Sequence, residues 1–156
     1  HSRQVADMAL AIAARKHLAL DAGRIEAAAM LHDIGITRTH APGIECHGTE
    51  PYLMHGVLGA QMLQDAGAPE WAAGVAERHT GAGLTRADVI AAGMPDPGHD
   101  LCPRDTLERL VCYADKFFSK THVGAPPKAL ERVRASIRKF GPAAAERFES
   151  LHEEFG

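Results

Sequence analysis

Histidine and aspartate are the residues of this sequence whose placement points most directly to chemistry. The segment AAAMLHDIG places His32 and Asp33 side by side at the end of an alanine-rich apolar run. The chain has ten histidines in 156 residues, and Asp115 lies within the apolar run LVCYADKFF. Imidazole nitrogens and carboxylate oxygens bind divalent transition metals, and a buried carboxylate is costly without a partner. These residues therefore point to metal chemistry.

The elements that would position these residues are predicted to be helices. Apolar residues recur at spacings of three and four through most of the chain, and no alternating run of β-branched residues indicates a strand. Two pairs, Thr85 with Asp88 and Asp105 with Glu108, have the spacing of capping boxes at helix starts. We predict an all-α fold in which residues 1–156 form one compact domain of seven or eight helices.

Irregular segments separate some of these helices. Two long stretches, at about 35–52 and 94–104, are rich in Gly, Pro and His. Loops of this length in a compact domain are often functional. Gly141-Pro142 is expected to separate the last two helices.

Six ligand-type side chains fall on the inward faces of five predicted helices when the apolar stripes are extended by one helical step. They are His1, His32, Asp33, His55, His79 and Asp115. No lysine or arginine falls on these stripes. Lys116, which follows Asp115, is turned by about 100° on an ideal helix and is expected at the surface. Divalent ions would satisfy the aspartates and the histidines together.

Each of these residues also has an ordinary structural explanation. A single histidine on an apolar face is usually a core residue with its hydrogen bonds satisfied. Asp33, near a helix end, could order the following turn, and Asp115 could pair with a lysine whose position differs from the expected one. Each explanation is the more common one for a single residue, but the coincidence of six favours a metal site.

The order of these residues resembles the HD-domain superfamily of metal-dependent phosphohydrolases. The resemblance runs from His1 through HDIG and YADK to about Lys120, and the chain is also similar to small, stand-alone HDIG proteins. The stretches YLMHGVLGAQML and ERHTGAGLT resemble the additional histidine helices of a multi-histidine subgroup. The resemblance implies a first metal site formed by His1, His32, Asp33 and Asp115. It implies a second site formed by His55 and His79, with Asp33 bridging the two ions.

The sequence departs from one well-known group of relatives and is closer to another. Phosphodiesterases of the HD-GYP type carry a lysine after HDIG and a later HHE…GYP stretch. Here Ile36 follows HDIG, and the sequence RHTGAG stands in place of HHE, which disfavours cleavage of cyclic-di-GMP. Relatives that hydrolyse diadenosine tetraphosphate share an element similar to His79-Thr80-Gly81.

The resemblance implies an enzyme that cleaves a phosphoester or phosphoanhydride of a nucleotide or other small phosphorylated metabolite through a metal-bound hydroxide. Asp33 is the expected catalytic residue. The expected cofactor is a divalent transition metal, with two ions per chain drawn from Mn, Fe, Co, Ni or Zn. Arg38 and His40, in the loop after HDIG, are candidate contacts for the substrate phosphate, although they equally fit a solvated charge and a loop histidine.

Two other functions stay open at the level of sequence. Some HD-fold proteins are di-iron oxygenases with a similar ligand set, in which an additional histidine or lysine over the site is typical. No such residue is identified in the sequence. A non-catalytic sensor that binds metal or nucleotide is the other alternative, and the complete set of ligand-type residues argues against it.

Composition limits the partners and the compartment. A net charge of −3 gives no electrostatic basis for binding nucleic acid or an anionic membrane, and no apolar run is long enough for a membrane span. The three cysteines, Cys46, Cys102 and Cys112, have no CxxC spacing and favour a reducing compartment. With no evident signal peptide, we expect a cytoplasmic protein. The sequence leaves the oligomeric state open.

Overall fold

The computed structural model describes every residue from His1 to Gly156 and contains eight α-helices. They are α1 (Ser2–Arg15), α2 (Ala22–Leu31), α3 (His55–Asp65), α4 (Glu70–Arg78), α5 (Arg86–Ala91), α6 (Thr106–Asp115), α7 (Leu130–Arg138) and α8 (Pro142–Phe155). The predicted all-α architecture is therefore confirmed. No helix is both long enough and apolar enough to cross a bilayer.

The connection between α2 and α3 contains the structure that the sequence did not indicate. Three short 3₁₀ turns lie in it, and between them two strands, β1 (His40–Ala41) and β2 (Cys46–His47), pair antiparallel. These two strands leave the all-α fold class unchanged. A ladder of two residues per strand is too short to produce an alternating pattern in the sequence.

One apolar core joins the two ends of the chain. It contains 24 buried residues from helices α1, α2, α4, α6, α7 and α8 and the adjoining loops, including Val5, Ile25, Leu110, Phe148 and Phe155. Helix α6 lies at its centre, and eight of its ten residues are buried. The apolar periodicity follows from this arrangement, because each helix of this core turns one face toward α6 or a neighbour of α6.

Of the two predicted capping boxes, the structure contains one in full and half of the other. Thr85 and Asp88 form the complete reciprocal box at the start of α5. Asp105 caps α6 by accepting a hydrogen bond from the backbone N–H of Glu108, but Glu108 does not return the bond. Its carboxylate is buried and accepts hydrogen bonds from the side chain of Arg78 instead. The ion pair with Arg78 of α4 thus takes the place of the reciprocal hydrogen bond, while the cap by Asp105 remains.

Two glycines set the distances between the elements that carry the histidines and Asp33. A Cβ atom at Gly35 would lie 2.0 Å from the carbonyl oxygen of His55 and 2.4 Å from the amide nitrogen of Gly59. A Cβ atom at Gly56 would lie 2.8 Å from the carbonyl oxygen of Ala76. Only glycine permits such close backbone approach. The turn after Asp33 is thereby held against α3, and α3 against the end of α4.

Candidate metal centre

The six side chains expected to bind metal meet where five helix ends converge. His1 is the N-cap of α1, His32 is the C-cap of α2 with Asp33 next, His55 begins α3, His79 is the C-cap of α4, and Asp115 ends α6. Four of the six are buried, and the side chains of His1 and Asp33 are only 9% and 10% exposed. The structure therefore brings together all six residues, and we refer to them as the His/Asp cluster.

The first half of the cluster gathers around one oxygen of each aspartate. The Nε2 atom of His1 lies 3.2 Å from Oδ2 of Asp33 and 2.9 Å from Oδ1 of Asp115. The Nε2 atom of His32 lies 3.2 Å and 3.3 Å from the same two oxygens. Ligands bound about 2.1 Å from one ion are about 3.0–3.4 Å apart at octahedral or tetrahedral angles. The four atoms thus have the mutual spacing of a first coordination shell.

The second half gathers around the other oxygen of Asp33. Oδ1 of Asp33 lies 3.1 Å from Nε2 of His79 and 3.5 Å from Nε2 of His55. These two imidazole nitrogens lie 3.0 Å from each other. In each half the ligand atoms lie within 4.8 Å of one another, so that each half could hold an ion. Asp33 would give one oxygen to each ion.

Backbone carbonyls fix the tautomer of three of the histidines. The Nδ1 atoms of His32, His55 and His79 lie 2.6, 2.7 and 2.8 Å from the carbonyl oxygen three residues earlier. Since a carbonyl only accepts, each Nδ1 carries the hydrogen and donates it. Each Nε2 of the neutral ring therefore presents a lone pair to the cluster, as metal-binding histidines do.

The second half of the cluster fits a cation better than it fits any arrangement of its own hydrogen bonds. Two Nε2 lone pairs 3.0 Å apart repel each other unless a proton or an ion lies between them. Burial is the main cause that lowers the pKa of His55, to about 3, and burial also lowers the pKa of His79. Both shifts disfavour a proton between the two nitrogens. The donor set suits a divalent transition metal.

The first half can hold either an ion or a proton. Burial opposes protonation of His32, but the charges of Asp33 and Asp115 raise its pKa to about 9. Even so, Nε2 of His32 and Oδ2 of Asp33 are buried and make no well-aligned hydrogen bond, although charged groups lie close to both atoms. An ion bound here would have to displace the proton of His32.

Lys116 is a correction to the sequence analysis. Its side chain was expected at the surface but is only 10% exposed, and its Nζ atom lies 2.6 Å from Oδ2 of Asp115. Nζ also donates to the carbonyl oxygen of His79 at 3.0 Å. Lys116 keeps helical backbone angles, with φ −64° and ψ −23°, but its long flexible side chain bends back to these two oxygens. Lys116 leaves Oδ1 of Asp115 facing the cluster.

A second lysine, Lys120, stands at the open side of the cluster. Its Nζ atom lies 3.1 Å from Oδ2 of Asp33 and 3.9 Å from Oδ1 of Asp115, and its side chain is 20% exposed. Burial alone would raise the pKa of Asp115, but the charges of Lys116 and Lys120 hold it well below its usual range. No pattern in the sequence pointed to Lys120, because it lies in a loop outside any periodic segment.

A cleft of about 290 Å³ opens onto the cluster. His55, His79 and Asp115 form part of its floor, and Lys116, Lys120 and Lys128 contribute ammonium groups to its wall. Its rim includes the aromatic side chains of Tyr52 and Phe140, which are 41% and 58% exposed. The cleft therefore offers positive charge beside the His/Asp cluster and aromatic surface farther out.

Arg38 and His40 lie apart from this cleft. Arg38 ends the 3₁₀ turn that follows Asp33, and His40 begins β1. Both are exposed, and neither contributes to the lining of the cleft. The turn carries the chain away from the cluster within a few residues. Their contact with a substrate phosphate stays a prediction.

A helical fold with this His/Asp cluster defines the class of protein, and comparison with known families gives the family. The family model described as HD domain matches residues 1–119. The chain belongs to the HD domain family, as the order of its histidines and aspartates indicated.

Three proteins illustrate the similarity by sequence. The chain is 38% identical over 115 residues to an uncharacterized protein of Methanocaldococcus jannaschii, covering 74% of this chain and 60% of the relative. It is 32% identical over 154 residues to a tRNA (cytidine(56)-2'-O)-methyltransferase of Thermoplasma volcanium, covering 98% of this chain and 40% of the relative. A methyltransferase of the same name from Picrophilus torridus is 29% identical over 130 residues, or 83% of this chain and 33% of the relative. The chain thus spans less than two thirds of each relative.

Solved structures show the same fold. The HD domain of the phosphodiesterase PgpH from L. monocytogenes superposes with a TM-score of 0.57 at 18% identity, covering 99% of this chain and 80% of that one. The same domain in complex with cyclic-di-AMP gives a TM-score of 0.55 at 16% identity, covering 97% and 85%. At these identities the likeness extends to the fold alone.

Proposed function

We propose that this protein is a metal-dependent phosphohydrolase that cleaves a phosphoester or phosphoanhydride of a nucleotide or another small phosphorylated metabolite. The observation that carries the proposal is the division of the His/Asp cluster into two halves that share the carboxylate of Asp33. Family membership supports it, since the solved HD domains with this fold belong to a protein named as a phosphodiesterase.

Six residues would hold the ions. In this proposal one ion is bound by His1, His32, Asp33 and Asp115, and a second by Asp33, His55 and His79. Nitrogen and oxygen ligands of this kind accept Mn, Fe, Co, Ni or Zn. Divalent ions held in this way supply a water activated at neutral pH and positive charge against the phosphoryl oxygens.

The protein's own groups would fix the geometry of the reaction. The carbonyl oxygens that hold the Nδ1 hydrogens of His32, His55 and His79 orient the three rings. Lys116 orients Asp115 through Oδ2, and Asp33 holds the two halves in register. Phosphoryl transfer depends mainly on positioning and charge neutralisation, so a rigid cluster of this kind suits the reaction.

The cleft supports an anionic substrate with a planar group. Lys120 lies next to both aspartates, where its ammonium group can bind a phosphoryl oxygen of the substrate. Tyr52 and Phe140 present exposed rings at the rim, and aromatic rings stack on nucleobases. A nucleotide would place its phosphate at the cluster and its base at the rim.

A di-iron oxygenase is the second candidate, and Lys120 is the observation that favours it. A lysine over the site is typical of the HD-fold oxygenases, and the sequence alone did not reveal that this chain has one. The two candidates differ in their products. Hydrolysis releases phosphate or a phosphomonoester and consumes no dioxygen. An oxygenase consumes dioxygen in proportion to the product that it forms.

We also propose that residues 1–156 form a single domain. The core that includes Val5 of α1 and Phe155 of α8 supports this, because neither end of the chain could leave it without exposing apolar surface.

The test is metal analysis of the purified protein followed by a screen of phosphoesters with the metals it contains. The panel should include mononucleotides, dinucleoside polyphosphates, cyclic dinucleotides and bis(p-nitrophenyl) phosphate, with dioxygen uptake recorded in parallel. Metal-dependent release of phosphate or phosphomonoester without dioxygen uptake is the expected result. Tight binding of a nucleotide without turnover would contradict the proposal and indicate a sensor.

A further inference from the structure

A second cavity adjoins the cleft, and its lining has a composition suited to an anion. It has a volume of about 610 Å³ and is lined by the segment from Ser119 to Arg132, including Ser119, Thr121, His122, Lys128 and Arg132. Lys128 also lines the cleft over the His/Asp cluster, so its side chain stands between the two spaces. We refer to this space as the Lys128 cavity.

The cations of the Lys128 cavity have no carboxylate partners. Lys128 and Arg132 form no ion pair, and no aspartate or glutamate lines the cavity. The adjacent acidic residue, Glu131, is bound to Arg134 at 2.8 Å on another side of α7. An ammonium and a guanidinium group with nearby hydroxyl groups, and with no carboxylate in the lining, form a local positive field that attracts anions.

Lys128 is held in position by the backbone. Its Nζ atom lies 3.4 Å from the carbonyl oxygen of Lys116 and 3.3 Å from that of Phe118, and its amide donates to the carbonyl of Phe117 at 2.8 Å. An ammonium group has three N–H donors, so one is left for a ligand. Burial and the charges of Lys116 and Lys120 lower the pKa of Lys128 by more than the charge of Asp115 raises it. An anionic ligand would relieve that repulsion.

We propose that the Lys128 cavity binds a second phosphate of the substrate, with Lys128 and Arg132 as its charged contacts. The inference rests on the proposed function, which places the scissile phosphate at the His/Asp cluster on the other side of Lys128. The substrate class is then a small molecule with two phosphates, such as a nucleoside diphosphate or a molecule that carries phosphates at two positions. A substrate with a single phosphate would leave Arg132 without a partner.

The test is calorimetric binding of three probes to the metal-loaded protein. Methylphosphonate has one phosphonate, methylenediphosphonate has two, and phosphonoacetate carries a carboxylate in place of the second. The variant is Arg132→Ala, and the matched control is Arg138→Ala, because Arg138 is exposed on the same helix and lies outside the cavity lining. Methylenediphosphonate also chelates the metal, which raises its affinity equally for the wild type, Arg132→Ala and Arg138→Ala. The difference in affinity between the two variants is therefore the result that tests the inference.

Methylenediphosphonate is expected to bind the wild type and Arg138→Ala more tightly than methylphosphonate. Arg132→Ala should weaken its binding by about tenfold to a hundredfold, the range for loss of a charge-assisted hydrogen bond, and should leave methylphosphonate unaffected. An equal affinity in the two variants would overturn the inference. An equal loss for phosphonoacetate would overturn the assignment to phosphate. If metal-dependent hydrolysis persists in either case, the proposed function stands while the inference fails.

Discussion

Helices α4 and α6 carry two buried polar clusters that solve the same physical problem in different ways. Near the start of α6, Arg78 donates to Glu108 through Nε at 2.8 Å and Nη2 at 2.6 Å, and the backbone N–H of Arg104 donates at 2.7 Å. That cluster is complete, because the carboxylate has a full set of donors. At the end of α6, the His/Asp cluster leaves buried lone pairs facing one another. A buried carboxylate that accepts enough hydrogen bonds does not indicate a metal site. Buried acceptor atoms that lack hydrogen-bond donors do.

The largest expected effect is on enzymatic activity, which should depend on the His/Asp cluster and not on the Arg78–Glu108 pair. Asp33→Ala removes an oxygen from both halves of the His/Asp cluster, and metal-dependent phosphoester hydrolysis should fall to background. Arg78→Leu should keep its activity per folded molecule, because the side chain of Arg78 forms ion pairs with Glu108 and Glu77 and with neither aspartate of the His/Asp cluster. Steady-state assays at saturating metal measure both. Activity of Asp33→Ala within a few-fold of the wild type would contradict the metal mechanism.

The Arg78–Glu108 pair should matter more for the stability of the fold than for activity. Arg78→Leu leaves the carboxylate of Glu108 buried without its charged partner, which is expected to lower the free energy of unfolding by about 3–5 kcal/mol. The double variant Arg78→Leu/Glu108→Leu should recover most of that loss, because an uncharged pair needs no donors. Urea denaturation at fixed metal concentration measures both effects. A double variant as unstable as the single one would mean that packing, and not charge, holds this region.

Removal of metal should destabilise the protein by a somewhat smaller amount. Ligands drawn from five helix ends exist together only in the folded state, so a metal at a hundred times its dissociation constant contributes about 2.7 kcal/mol. Chelator is expected to lower the Tm of the wild type, and readdition of Mn²⁺ or Fe²⁺ should restore it. Asp33→Ala serves as the control and should show almost no shift. A wild-type melting curve that is unchanged after verified metal removal would count against the site.

The smallest effect is an acid dependence specific to the Arg78–Glu108 pair. Burial opposes ionisation of Glu108, but Arg78 and the Arg104 amide lower its pKa below the usual value. A carboxylate whose folded pKa is lowered adds stability above its unfolded pKa of about 4.5 and loses it as the pH falls through the folded pKa. Glu108→Gln should therefore flatten the loss of stability below about pH 4.5. Parallel curves for the wild type and the variant between pH 5 and 3 would exclude this role.

The comparison also shows which features the sequence encodes locally. The apolar periodicity of α1 to α8 and the inward positions of the six His and Asp residues follow from helical geometry, because the direction of a side chain repeats along a helix. The Asp105–Glu108 spacing is equally local, but it predicted a reciprocal cap that the structure lacks. Glu108 binds Arg78, which lies 30 residues earlier in the chain, so a pattern of neighbouring residues could not predict this pair.

The lysines of the site could not be derived in the same way. Lys116 and Lys120 follow the end of α6, where periodicity stops and long side chains reach several ångströms in directions that depend on neighbouring helices. A charged residue directly after an inward aspartate in an apolar run was the one available signal for Lys116. The cavity beside Lys128 depends on a loop and on α7, so the sequence showed only a segment in which Glu131 is the one acidic residue.

Anomalous scattering from metal-loaded crystals tests the central claim most directly, because it counts the ions and locates them. Two peaks about 3.5–4 Å apart are expected, one next to His1, His32 and Asp115 and the other next to His55 and His79, with Asp33 between them. Data collected on both sides of the metal absorption edge give the identity of each peak. A fully loaded crystal in which neither peak lies within bonding distance of Asp33 would contradict the claim.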